Sequence, residues 1–562
     1  MTNWKGPALS APVTLWLLLA FAAPMIVVVL LSLQPGSDPF APLLGAPSLA
    51  QFTLIAGDAF YYRVIFETIA VGLAVTVVSA ALGYPVAYWL ARMPVRWRAL
   101  AFAVILIPLL TNVVVRSLGV MLLLSPDGLI NSVLRFFWLP TADKMLFTHF
   151  AVTVGLAQVF MPFMVIALYD SMQSTSPRVH EAAESLGAGP AMRFLTVDLP
   201  LSLPGLRSGT VIVFLMATTA YVSATLLGGK KVWMIGMLVV QEAVANLNAP
   251  IASALAIIMT VLGLAFVALC SWIIGRLMPW RADRPSDPIS LPAWAVTLIE
   301  AVGPTISRLL LAASIGLLLL PLWLVVVQSV NDVPLATAAG FRGFTWKWYE
   351  QVLFGGTYTA AFVVSVQLAL VSVAIALLVG LPAAFALARY PFPGRGVLLT
   401  FWMLPLSLPQ IAVGVGMLKL LQIYFAVPAF LGLVGIHVVI VLPFVIALLT
   451  TSVQALDRAQ EEAADSLGAG PLRRLVLVTL PALAPGLFAA GVIGFLMSFG
   501  EVTVTSFLTT ARMVTLPVRI YSEVTSVLEP TAHAISAVLI FVTVVTLWLV
   551  GQVVRLDKLY AR

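Results

Sequence analysis

The residues able to do chemistry in this chain are few, and spacing excludes most of them. Its 562 residues include 23 acids, 30 Lys and Arg, four histidines and one cysteine. His149, His180, His437 and His533 stand without metal-ligand spacing, so each reads as structural and no metal site is expected. Cys270, alone in an apolar run, permits no intrachain disulfide. No G-x-x-x-x-G-K-[ST] phosphate loop occurs; GGKK at 228–231 lacks its spacing. With no paired carboxylates and no Ser/His/Asp grouping, the chain reads as a non-enzyme.

What remains is charge within apolar runs. An ionisable group near a bilayer centre costs about 2.5–3.5 kcal/mol on insertion scales, which makes Glu501, Arg116 and Lys419 functional candidates. Glu501 falls in mid-run, opposite Ala220 and Tyr221 under an internal repeat of 281 residues. A carboxylate beside the Tyr221 ring would suit a cationic amine on a substrate pathway. The structural alternative pairs Glu501 with Arg116 or Lys419. Arg116 is read as a structural or gating charge.

The elements that must hold these residues follow from composition. Apolar residues make up 61% and charged residues 9%, far below the roughly 25% charged of a soluble domain. The chain is an integral membrane protein, so its net charge of +7 is read by side of the membrane and implies no nucleic acid. Twelve apolar runs are long enough to span: 12–34, 65–91, 99–124, 148–169, 205–228, 250–275, 306–328, 360–388, 397–424, 434–453, 486–508 and 531–553. They lack barrel-like alternation, so the fold is an all-α polytopic bundle. The first run, with Lys5 before it, is longer than a signal-peptide core and reads as a retained span. Basic residues favour one side by roughly two to one, which places both termini in the cytoplasm.

Residues 181–206 and 462–487 share a pattern at that constant offset of 281: EAAESLGAGPAMRFLTVDLPLSLPGL and EAADSLGAGPLRRLVLVTLPALAPGL. The chain is thus two homologous six-helix halves in parallel repeat, 1–275 and 301–562, joined by a Pro- and charge-rich cytoplasmic segment at 276–300. A parallel repeat puts a pseudo-two-fold axis along the membrane normal. In each copy a short helix starts at Ser176–Pro177 or Asp457 and stops at Gly187 or Gly468. Gln460 suggests a capping box in the second copy. A second helix starts at Pro190 or Pro471 and is expected to end at Pro200 or Pro481. Ala182/Ala183 and Ala463/Ala464 form a thin face that would let another surface approach.

EAA, a following Gly and a Leu-Pro pair between two spans resemble the cytoplasmic signature of binding-protein-dependent ABC importer permeases. The resemblance implies that Glu181, Ala182, Ala183 and Gly187 form one coupling contact with an ATP-binding subunit, and Glu462, Ala463, Ala464 and Gly468 the other. It implies two copies of that subunit, which hold ATP and Mg²⁺ so that this chain binds no cofactor. It also implies an extracytoplasmic solute-binding protein meeting 35–64, 329–359 and 509–530, and a bacterial inner-membrane location. LLTNVVVRSLGVMLLLSPDGLINSVL at 109–134 and SFGEVTVTSFLTTARMVTLPVRIYSEV at 498–524 resemble spermidine/putrescine-type permeases. A polyamine-like cation is the expected solute; ferric ion, thiamine and aminoethylphosphonate permeases share the fused plan. A secondary transporter with twelve spans fits the hydropathy equally well but leaves the duplicated loops unexplained.

Overall fold

The computed structural model describes residues 5–36, 46–142, 144–277, 292–336, 340–424, 427–510, 512–526 and 529–553. Residues 278–291 of the expected joining segment, and Arg555, Lys558 and Arg562, lie outside them. Helix follows helix, with only two isolated bridges among the described residues, Asn331 to Phe344 and Thr510 to Met513. Among the described residues eleven helices are long and apolar enough to cross a membrane; a pair bent by 86°, Arg395–Leu406 with Gln410–Leu421, makes twelve when taken as one span.

The first half builds its site from α1 (Lys5–Ser32), α2 (Ala59–Arg92), α3 (Val95–Leu110), α4 (Val113–Leu124), α5 (His149–Gln173), α6 (Pro177–Ser185), α7 (Pro190–Thr218), α8 (Val222–Gly228) and α9 (Ala249–Leu277). The second uses α10 (Ala293–Gln328), α11 (Thr357–Arg389), α12 (Arg395–Ser407), α13 (Gln410–Met417), α14 (Ala429–Ala455), α15 (Arg458–Ser466), α16 (Pro471–Phe499), α17 (Thr505–Leu508), α18 (Leu516–Ser526) and α19 (Thr531–Val553).

Several helix limits differ from the sequence expectation. The runs 205–228 and 486–508 are not single helices: α7 ends at Thr218 and α16 at Phe499. The run 99–124 is broken between α3 and α4, where Thr111 is extended. Hydropathy averaged over a span does not register a backbone break whose flanking side chains stay apolar. Pro200 and Pro481 do not end their helices either. Each follows a wide π turn, Phe194–Asp198 or Leu475–Thr479, and the helix continues through it into the span. The wide turn absorbs the missing N–H and the ring clash that would otherwise stop an α-helix.

The first helix of each half crosses to the other. Helix α1 packs on α11 and α13 of the second half, and α10 on α2 and α4 of the first. The crossing itself is duplicated. A Cβ on Gly119 would stand 2.2 Å from the Pro321 carbonyl oxygen, and one on Gly416 2.2 Å from that of Pro24. Only glycine allows so close a backbone approach. Pro24 and Pro321, like Gly119 and Gly416, are 297 residues apart, so the front of the repeat runs in a different register from the loops. The two large apolar cores among the described residues accordingly draw on both halves.

Candidate functional site

Four helix breaks converge on one cavity of about 220 Å³. They lie between α3 and α4, between α7 and α8, between α12 and α13, and between α16 and α17, two from each half. Irregular backbone is tolerated in a membrane chain where protein buries it or where it lines a cavity. Three of the four have a local cause. At α4 the Asn112 side chain accepts from the Val114 N–H at 2.7 Å and caps the helix. At α13 Pro409 is the residue before the first turn, where its missing N–H is not needed. At α17 the Glu501 carboxylate accepts from the Val504 N–H at 2.8 Å.

Arg116, Tyr221 and Glu501 all line this cavity. The sequence reading thus brought together three residues that lie far apart in the chain. The alternative, a pairing of Glu501 with Arg116 or Lys419, is not formed: none of the ion pairs among the described residues includes Glu501. Arg116 is buried, with Nη1 donating to the Val159 carbonyl at 3.3 Å and no hydrogen-bond partner at Nε. Lys419 is buried in the turn after α13 and does not line the cavity. Two functional candidates escaped sequence reasoning. Asn112 donates to the Gly500 carbonyl at 2.9 Å, tying one half to the break that carries Glu501. The Tyr521 hydroxyl on α18 donates to that of Tyr221 at 2.8 Å, with their rings 5.6 Å apart. Both are contacts between halves, which no local pattern reveals.

The duplicated loops are two helical hairpins of one shape. Gly187 and Gly468 both have φ of +79°, the left-handed stop expected of them. Ser176 stands at the cap of α6 without a side-chain bond, whereas Asp457 accepts from the Ala459 N–H at 2.9 Å. Each hairpin carries the same internal ion pair, Arg193 with Glu184 and Arg474 with Asp465. Glu181, Ala182, Glu462 and Ala463 are exposed, Ala183 is half-buried, and Ala464 is buried at 8% exposure. The thin face is therefore only partly open. The exposed apolar feature at each tip is instead a leucine, Leu186 at 88% and Leu467 at 89%; each immediately precedes its glycine, and that spacing could have marked it.

Each hairpin is pinned to the end of a long helix. The Asp198 carboxylate meets Arg92 on α2 at 2.7 Å, His180 at 2.7 Å and the Tyr88 hydroxyl at 3.3 Å. In the second half Glu461 meets Arg389 on α11 at 3.5 Å, and accepts from the Thr479 hydroxyl at 2.8 Å. Arg92 and Arg389 are related by the 297 offset, and His180 and Glu461, like Asp198 and Thr479, by 281.

Residues 376–556 match the family model described as a binding-protein-dependent transport system inner membrane component. The spermidine/putrescine transport system permease protein PotB of Salmonella typhimurium is 31% identical over 233 residues, 41% of this chain and 80% of that protein. PotC of Escherichia coli is 29% identical over 241 residues, 43% of this chain and 90% of its own length. Among solved structures, a bacterial alginate ABC transporter in complex with an alginate pentasaccharide-bound periplasmic protein has a TM-score of 0.41 at 18% identity, over 49% of this chain and 96% of that one. Each of the two curated relatives matches roughly one half's length of a chain that carries the hairpin loop in duplicate. The chain belongs to the inner-membrane permease components of binding-protein-dependent transport systems, the membrane-spanning part of ABC importers.

Proposed function

We propose that this chain supplies both membrane domains of an importer for a polyamine-like cation, with 1–275 and 301–562 as the two domains and both termini in the cytoplasm. One observation carries the solute class: a cavity shared by both halves is lined by Glu501, which enters none of the ion pairs among the described residues. An amine leaving water loses hydration worth several kcal/mol, and a carboxylate already held by the Val504 amide offsets part of that loss. The Tyr221 ring on the same wall adds an aromatic surface for the cation or its methylene chain. The similarity to PotB and PotC supports the same class.

An extracytoplasmic binding protein delivers the solute to the outer loops. Two ATP-binding subunits, which hold ATP and Mg²⁺, grip the hairpins around Glu181, Ala182, Ala183 and Gly187 and around Glu462, Ala463, Ala464 and Gly468. Leu186 and Leu467 are the apolar anchors of those contacts, since a lone exposed leucine beside an acid and a glycine suits a small cleft. Movement of the subunits reaches the cavity along α7 and α16, because each runs without interruption from its hairpin to a helix break.

The test is Glu501→Gln in the assembled transporter, with uptake of labelled spermidine and putrescine and complex yield measured together. Uptake is expected to fall at least about tenfold. Yield should hold, because the substitution strands no ion-paired cation. Full uptake would remove the counter-charge role.

A further inference from the structure

The breaks that end α7 and α16 are related by the 281 offset, yet their supports differ in kind. In the second half His437 on α14 is buried between two hydroxyls. Its Nδ1 lies 2.8 Å from Ser498 Oγ and its Nε2 3.0 Å from Thr505 Oγ1. Ser498 belongs to α16, before the break, and Thr505 opens α17, after it. One imidazole therefore bridges both ends of the turn that carries Glu501. At the corresponding positions of the first half stand Leu156, Ala217 and Ala224, all fully buried. At these three positions that half packs apolar side chains and has no bridge across the break; its α8 is tied instead to α4, where Ser223 and Ser117 share a hydrogen bond of 2.7 Å, and its turn carries Ala220 where the second carries Glu501.

We propose that His437 is the positioning residue for Glu501: by clamping Ser498 and Thr505 it fixes the turn so that the carboxylate stays directed at the cavity. This rests on the reading of Glu501 as the counter-charge for a cation. The chemistry explains why an imidazole stands here. Neutral histidine offers one donor and one acceptor on opposite sides of a rigid ring, so it can engage two hydroxyls at once and leave nothing unsatisfied. The turn is otherwise held by backbone bonds and by Asn112 on the Gly500 carbonyl. A carboxylate that must meet a moving solute needs its backbone fixed, since a displacement of about 1 Å can cost up to about a hundredfold in rate. The first half has no such carboxylate at its turn and no such clamp.

The duplicate supplies the control. The triple variant His437→Leu, Ser498→Ala, Thr505→Ala installs the first half's side chains, a combination already packed once in this fold, and removes all three polar partners together. We expect it to assemble with unchanged yield and melting temperature while spermidine uptake falls at least about tenfold. In a Glu501→Gln background the triple substitution should add no further loss, a non-additivity that a merely structural role would not produce. His437→Gln, which keeps a donor and an acceptor, should restore much of the uptake. Wild-type uptake by the triple variant overturns the proposal, as does failure of the triple variant to assemble, because the network would then be structural. If Glu501→Gln itself transports normally, the counter-charge reading fails. If Glu501→Gln is impaired and the triple variant is not, only the positioning role fails.

Discussion

The two hairpin loops reach one shape by different means. Outwardly they agree in the left-handed glycine, the exposed leucine before it and the ion pair between the two helices. Inwardly the pin is reversed. In the first loop the acid, Asp198, sits on the second helix and meets His180 on the first. In the second the acid, Glu461, sits on the first helix and meets Thr479 on the second. An arginine at the end of α2 or α11 closes both. If the hairpins dock the ATP-binding subunits as proposed, the docking surface keeps its form through duplication, while its support can be met by any complementary pair that spans the same gap.

The largest expected difference between the loops comes from removing each acid. Asp198 is nearly buried and has three side-chain partners, so Asp198→Ala should cost about 3 kcal/mol, near the low end for a broken buried pair because Arg92 is over a third exposed. Glu461→Ala, with one short bond and one long ion pair, should cost about 1–2 kcal/mol. Melting temperatures of the purified complex check this, and equal losses would break the comparison. A smaller asymmetry concerns bulk. Ala464→Trp must displace its own chain and should cost about 2 kcal/mol by overpacking, while half-buried Ala183→Trp should leave stability nearly unchanged and weaken only ATPase co-purification. Melting curves beside pull-downs separate the two effects. The smallest effect is expected of a transplant. His180→Glu with Asp198→Thr gives the first loop the second loop's pair, and stability should stay within about 1 kcal/mol of the parent. His180→Glu alone sets two carboxylates together and should be worse than the double change; if it is not, the pairs are not interchangeable.

Much of the plan was legible in the sequence because it depends on local rules. Gly187 and Gly468 stop helices, Pro190 and Pro471 start them, and a run of about 20 apolar residues crosses a bilayer whatever surrounds it. Glu501, Tyr221 and Arg116 were legible as a set because charge in an apolar run is costly and the repeat aligned two of them. The helix breaks were not, since a run such as 205–228 stays apolar through its interruption. Nor was the burial of Ala464, whose twin Ala183 is more open under the same motif. The contact of Asn112 with Gly500 and the crossing of Gly119 over Pro321 join residues hundreds of positions apart. The 297 offset was hidden as well: identities cluster around the loops, and the crossing glycines declare their equivalence only through what they touch.

The crossed first helices bear on how the protein is made. Helix α1 leaves the ribosome well before α11 and α13, which it packs against and which begin roughly 330 and 380 residues after it ends. At about 5–20 residues per second, that is a wait on the order of half a minute with its partner surface still unmade. Neither half can finish its lateral packing in the bilayer before the other has been inserted, so quality control during synthesis would meet an exposed α1 whenever translation is interrupted. Carrying both halves on one polypeptide makes that partner certain to arrive, and in equal number.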